Sequence, residues 1–216
     1  MPAPLLLLHI DDALLVALKP AGLPAVPGRA EGLQDCLASQ VAAAFDDALV
    51  VHRLDMATSG LMLFARGKAM QRALSHAFAQ RQVHKRYEAV VEGRVEPPTT
   101  ADGWGTIELP LISDWPNRPK QKVDWTDGKP SLTRYRVLAD EPALGASRLA
   151  LSPVTGRSHQ LRVHLLALGH PILGDPLYAP PAALAKAGRL LLHASELGFA
   201  HPLSGQALHF SSPAPF

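Results

Sequence analysis

An arginine and an aspartate stand two residues apart in the stretch His52-Arg53-Leu54-Asp55-Met56-Ala57-Thr58-Ser59-Gly60. A carboxylate held near a reacting centre can serve as a general base or as a nucleophile, and a neighbouring cation can steer what reaches it. Apolar runs flank the stretch, at 48–51 before it and 60–65 after it, and both read as buried strands. A charged loop fixed between two strands is a common place for function, because the scaffold positions it while solvent still reaches it. The plain alternative is a surface ion pair beside a turn, which contributes little. For an isolated Arg-x-Asp that alternative prevails, so the rest of the chain has to decide.

Other polar clusters follow in order. Lys19-Pro20-Ala21-Gly22-Leu23 is a turn carrying a lysine, and Lys85-Arg86-Tyr87 opens an alternating segment. Thr155-Gly156-Arg157-Ser158-His159-Gln160-Leu161-Arg162-Val163-His164 joins a turn to a run rich in arginine and histidine. Gly169-His170-Pro171-Ile172-Leu173-Gly174-Asp175 and Leu190-Leu191-Leu192-His193-Ala194 come after it. Singly each is weak, but several in order with fitting spacing are strong. With residues 52–60 they resemble the RluA family of pseudouridine synthases, whose signature is His-Arg-Leu-Asp followed by Thr-Ser-Gly. The matches run from residue 19 to residue 194. The loop Pro110-Leu111-Ile112-Ser113-Asp114-Trp115-Pro116-Asn117-Arg118-Pro119-Lys120-Gln121-Lys122-Val123 resembles that of the small, single-domain members that modify both 23S ribosomal RNA and tRNA. Many members carry Asn before the Lys-Pro turn, where this chain has Leu18, a change that bears on local packing and not on chemistry.

The resemblance implies a reaction. Pseudouridylation detaches uracil from its ribose at N1 and rejoins it through C5, an isomerisation that needs no cofactor, metal or external energy. It needs an ionised carboxylate close to the sugar and a pocket for the freed base. Asp55 matches the family's catalytic aspartate, and attack at C1′, addition at C6 and proton abstraction at C2′ all stay open at this stage. Desolvation in a closed cleft tends to neutralise a carboxylate, so a nearby cation has to hold it charged. The resemblance gives that place to Arg157. It implies that Tyr87 stacks on the target uracil, with roughly 1–3 kcal/mol from stacking to set against a few kcal/mol of unstacking. Leu192 is expected at the pocket floor, and Arg53 in the space left by the extruded base, where a planar cation can both stack and bind phosphate. A tyrosine or leucine in a strand is otherwise ordinary core. Lys120 and Lys122 are assigned as RNA contacts.

Two rival readings compete with this one. Ten histidines raise the prospect of a metal-dependent hydrolase. Zinc on a helix uses His at i and i+4, whereas His159 and His164 are five apart, roughly 140° around a helix. No cysteine pair offers a substitute, and no metal is expected. A non-catalytic RNA-binding module would use the basic segments with Trp115 and Trp125, but it does not call for Arg-x-Asp, Thr-Gly-Arg and a tyrosine in this order.

The elements that must position these residues read as α+β, with a central mixed, largely antiparallel sheet flanked by helices and loops around a catalytic cleft, the fold the resemblance also implies. Strands are expected at 5–10 and 13–18, followed by breakers at Pro20, Gly22, Pro24, Pro27 and Gly28. Periodicity predicts helices over 33–45 and 68–82, the second with Met70, Leu74, Ala77 and Phe78 inward. A strand over 87–92 follows. Asp127-Gly128 predicts a hairpin between 121–125 and 131–138, and another strand covers 147–151. Ser158 is the expected N-cap of a helix over 159–168, closed by Gly169. Strands at 190–194 and 207–210 complete the sheet.

At 216 residues the chain suits one large domain or two halves sharing a core, and residues 1–216 are read as a single catalytic domain without a separate N-terminal RNA-binding domain. An apolar fraction of 47% is that of a globular protein. No run approaches the ~20 apolar residues of a membrane helix, and the N-terminal apolar stretch lacks the basic start of a signal peptide. Cys36 is the only cysteine, which excludes an internal disulfide, suits a reducing cytoplasm and reads as a buried, inert thiol. Net charge is only +2. Its distribution is uneven: residues 66–94 carry Arg66, Lys68, Arg72, Arg81, Lys85, Arg86 and Arg94 against Glu88 and Glu92, and 113–136 is also basic. Such stretches either form a solvated helix face or attract a polyanion. The expected partner is structured RNA, the stem-loops of 23S rRNA and tRNA, bound by a monomer.

Overall fold

The computed structural model describes residues 4–28 and 34–216, and the chain divides into two compact units, 1–85 with 194–215, and 86–193 with Phe216. In the first, β1 (Leu6–Ile10) and β2 (Leu14–Lys19) pair antiparallel. Asp11 closes their turn, its Oδ1 accepting from the amides of Ala13 and Leu14 at 2.7 and 2.9 Å. Next come α1 (Leu37–Ala44), β3 (Ala48–Val50), β4 (Ser59–Arg66) and α2 (Gly67–Ala79). β4 lies antiparallel to both β2 and β3.

The unbroken apolar run of β4 has a simple cause: both its faces are covered. Leu61, Leu63 and Ala65 join Leu14 and Val16 under α2, while Met62 and Phe64 join Leu15 and Ala17 under Leu37 and Val41 of α1. Alternation still sorts the side chains, but neither face is polar. The inward stripe of α2 is the expected one, with Leu74 buried and Met70, Ala77 and Phe78 packed on the same cluster. Helix α1 is shorter than its periodicity suggests. Cys36 caps it, accepting from the Ser39 amide at 3.3 Å while Ser39 Oγ accepts from the Cys36 amide at 3.0 Å, and Leu33 lies outside the described residues.

β5 (His84–Glu92) spans the division between the units. In the second unit β6 (Gly105–Glu108), β7 (Leu111–Ser113), β8 (Gln121–Val123), β9 (Leu132–Glu141) and β10 (Ala146–Pro153) follow. The order is β5-β10-β9-β6, all antiparallel, with β7 and β8 as a separate pair. The hairpin expected across Asp127-Gly128 therefore does not form. Both edges of β9 are taken, by β10 and β6, so the 121–125 run pairs with β7 instead. The turn itself is real: Asp124 Oδ1 accepts from the amides of Thr126 and Asp127 at 3.1 and 3.0 Å, and the chain returns to Leu111 through Lys129.

Then come α3 (Gln160–Ala167), α4 (Pro181–Ala185), β11 (Leu192–Ala200) and β12 (Ala207–Ser211), the last two paired antiparallel. Ser158 does not cap α3. The capping position is His159, in left-handed backbone at φ 53°, with no side-chain cap. Gln160 does the fastening: its Oε1 accepts from Thr155 Oγ1 and the Arg157 amide at 2.7 and 3.0 Å, and its amide group donates to Leu132 O and Thr133 Oγ1. The α+β class expected from the sequence holds.

Candidate active site

In the first unit the loop after β3 carries Arg53 and Asp55, alternating with the half-buried His52 and the buried Leu54. His52 and Leu54 face inward; Arg53 is exposed and Asp55 half-buried. His52 Nε2 accepts from the Leu63 amide at 2.9 Å, and its ring stacks on Phe78 at 4.6 Å. Burial, with the charge of Lys85 adding to it, pushes the His52 pKa down to about 3. The imidazole is therefore a neutral anchor that pins the loop to β4 and α2. Beyond Asp55 the Thr58 amide donates to the Asp55 carbonyl at 3.1 Å and closes a tight turn.

Lys19 fixes the other side of this turn. It is fully buried, and its ammonium donates to the carbonyls of Pro20, Leu23 and Met56 at 2.8, 2.7 and 3.0 Å. The Gly22 amide donates to the same Met56 carbonyl at 2.9 Å. The Lys-Pro-Ala-Gly-Leu turn thus clamps the residue next to Asp55. Leu18, beside it, packs into the apolar cluster under α2. Gly60 ends the loop at φ +121°, where a Cβ would stand 2.3 Å from the Ala194 carbonyl oxygen. Only glycine lets β11 pass so close.

In the second unit Tyr87 is half-buried on β5 opposite Leu151, and Leu192 is buried at the start of β11. Arg157 is exposed; its amide donates to Gln160 and its Nε to the Pro130 carbonyl at 3.4 Å. The arginine five residues on is the buried one. Arg162 is 3% exposed and meets Asp175 through two charge-assisted bonds, Nε to Oδ2 at 2.8 Å and Nη2 to Oδ1 at 2.6 Å. Tyr178 lies under its guanidinium at 5.0 Å. The Tyr178 hydroxyl accepts from the Gln121 amide at 2.8 Å and bonds His159 Nδ1 at 2.7 Å. Sequence reasoning passed over Arg162, Asp175 and Tyr178. The signal it could have used is an arginine on the inner stripe of a short apolar helix, which has to find a buried carboxylate.

Lys120 and Lys122 flank Gln121, so the Tyr178 bond steadies their segment. Lys122 Nζ pairs with Asp124 at 3.2 Å, and Arg118 stacks on the exposed Trp115 at 3.8 Å. His159 and His164 face different partners: His164 Nε2 meets Ser131 Oγ at 2.8 Å, and burial pushes its pKa down to about 4. Among the described residues no group of three or more His, Cys, Asp or Glu side chains is arranged to hold a metal ion, and no helix is long and apolar enough to cross a membrane.

A family model described as RNA pseudouridylate synthase matches residues 13–167. The chain is 49% identical over 212 residues to the dual-specificity RNA pseudouridine synthase RluA of Escherichia coli K12, covering 98% of this chain and 94% of that protein. To the protein of the same name in Pasteurella multocida it is 48% identical over 210 residues, 97% and 93% of the two chains. Among solved structures, human RNA pseudouridylate synthase domain containing 1 is similar with a TM-score of 0.80 at 29% identity, over 100% of this chain and 87% of that one. Human RNA pseudouridylate synthase domain containing 4 follows with a TM-score of 0.74 at 28% identity, over 97% and 88%.

Proposed function

The chain belongs to the RNA pseudouridylate synthase family, isomerases acting on RNA, and from that premise we propose that it converts specific uridines of 23S rRNA and tRNA to pseudouridine with Asp55 as the catalytic carboxylate. The observation that carries the assignment to Asp55 is its loop. A neutral His52 on one side and the Lys19 clamp on the other hold a carboxylate in place before any substrate arrives. Positioning of this kind lowers the ordering that the reaction would otherwise require. The N1–C1′ bond breaks, a C5–C1′ bond forms, C5 loses its proton and N1 gains one, so the reaction balances without a cofactor or metal. Asp55 acts at the sugar or the base, as nucleophile or as base.

Tyr87 stacks on the target base, Leu192 forms the pocket floor, and Arg53, exposed next to Asp55, occupies the gap left in the RNA stack. The cation that keeps Asp55 charged comes from the 157–162 segment. Resemblance points to Arg157. Burial favours Arg162, whose guanidinium is already held rigid by Asp175, whereas Arg157 would have to be drawn out of solvent. Lys120 and Lys122 contact RNA phosphates. The two RNA classes are supported by the 110–123 loop and by the dual specificity in the relatives' name. The reading includes a monomer acting through residues 1–216 as one catalytic domain, and the single cysteine suits a reducing cytoplasm.

The test is site-resolved pseudouridine mapping, by carbodiimide adducts and primer extension, of 23S rRNA and tRNA from cells lacking the gene. Sites in both classes should vanish and return with the wild-type gene but not with Asp55→Asn. In vitro, Asp55→Asn should lose at least about 10²–10⁴-fold in turnover while its circular dichroism and melting stay those of the wild type. Multiple turnover by that variant would remove Asp55 from the mechanism, and unchanged maps would favour a binding module.

A further inference from the structure

Among the described residues Trp125 is the most open of the large apolar side chains, 76% exposed, yet the backbone beneath it is firmly held. Asp124 accepts from the two amides that follow Trp125, and the Asp124 amide donates to Pro110 O at 3.0 Å. Gly128 lets the turn fold flat: a Cβ there would lie 2.1 Å from Asp124 O and 2.8 Å from the carbonyl carbon of Pro110. The indole forms one wall of a cavity of about 410 Å³, with Leu109, Pro110 and Pro130 as apolar lining and Glu108 and Ser131 as its polar groups. The floor is rigid. Ser131 is buried, its hydroxyl donates to Leu109 O at 2.6 Å, and His164 Nε2 meets that hydroxyl at 2.8 Å. At the rim, Arg157 Nε touches the Pro130 carbonyl.

A flat aromatic wall held on a fixed turn, an apolar cavity roomy enough for one heterocycle, an acceptor carboxylate and an exposed guanidinium at the edge together fit one kind of occupant. That occupant is a nucleotide: its base stacks on the indole, its N–H groups meet Glu108, and its phosphate meets Arg157. We propose that the Trp125 cavity binds a second, unpaired nucleobase of the substrate RNA, distinct from the uridine that is isomerised. The proposal rests on the RNA isomerase assignment. It gives the enzyme a second point of recognition, so a stem-loop must present two splayed bases at a fixed separation to react well. Shape would then be read through unstacked bases and not through a paired sequence.

The test uses the full chain and the shortest stem-loop RNA that it pseudouridylates. It compares wild type, Trp125→Ala and Trp125→Phe on that RNA and on copies with an abasic ribose at each loop position other than the target. Trp125→Ala should lower kcat/KM by about 5- to 100-fold, the span of stacking one base on an aromatic ring, and Trp125→Phe should recover most of it. One abasic position should cost the wild type a similar factor and cost Trp125→Ala nothing further. Wild-type turnover with Trp125→Ala within two-fold of it, or a Trp125→Ala defect that persists with every abasic RNA, overturns the pocket assignment alone. Absence of wild-type turnover on any stem-loop overturns the isomerase assignment and the pocket with it.

Discussion

Two arginines five residues apart show how position in the fold separates residues that look alike in sequence. Arg157 is exposed and bonded to one carbonyl; Arg162 is buried and paired in two places with Asp175. Arg157→Ala should raise KM for RNA several-fold and leave kcat within about three-fold, since an exposed cation contributes little beyond phosphate contact. Arg162→Lys keeps the charge but cannot reproduce the two-pronged bond, and should cost at least about 10²-fold in kcat, with folding checked by circular dichroism. A large loss in kcat for Arg157→Ala with Arg162→Lys close to wild type would give the supporting role to Arg157. The Asp55 loop was legible because a run of nine residues has one interpretation. The role of Lys19 was not: a lysine in a Pro-Gly turn reads as exposed, and only the carbonyls of Pro20, Leu23 and Met56 converging on it reveal a clamp.

At the scale of elements, β2 and β4 are the rigid plate from which the loop hangs. Their sequences announced this, because strands covered on both faces need no polar alternation. Strand partners were less legible. Residues 121–125 and 131–138 both have strand character and a good turn between them, but period-two patterning identifies strands without naming neighbours. Here β9 had better edges elsewhere. The start of α3 misled in the same way: a serine at a helix entrance usually caps it, whereas here no side chain does, and Gln160 fastens the entrance to β9 through long-range bonds. The close approach of β11 at Gly60 makes the plate sensitive at one point. Gly60→Ala forces a Cβ against backbone atoms that cannot move aside. It should cost at least about 2–3 kcal/mol of stability, read as a drop in the urea midpoint, with turnover lost in proportion to loop displacement.

For the molecule as a whole, two histidines set an acid limit. The pKa values of His52 and His164 fall from 6.5 to about 3 and about 4, in each case chiefly through burial. Both are neutral in the folded chain, whereas the unfolded chain takes up protons below pH 6.5. Their contribution to stability is therefore fully present above about pH 6.5 and is lost as pH falls toward 4 and then 3. Urea midpoints should decline steadily from pH 7 to pH 5. His52→Gln, which retains an acceptor for the Leu63 amide, should flatten that decline; an unchanged slope would mean that His52 already carries a proton in the folded state.

The buried ammonium of Lys19 also makes it a clock. Acylating reagents attack free amines, and in the closed protein this one is sealed beneath Met56, so the lysines at the surface should react first. Lys19 can be acylated only in the moments when the loop bearing Asp55 lifts. Its labelling rate, followed by peptide mass spectrometry against that of Lys68, therefore measures how often the catalytic loop opens. Bound RNA should slow it, and a rate equal to that of Lys68 would mean that the loop is open most of the time.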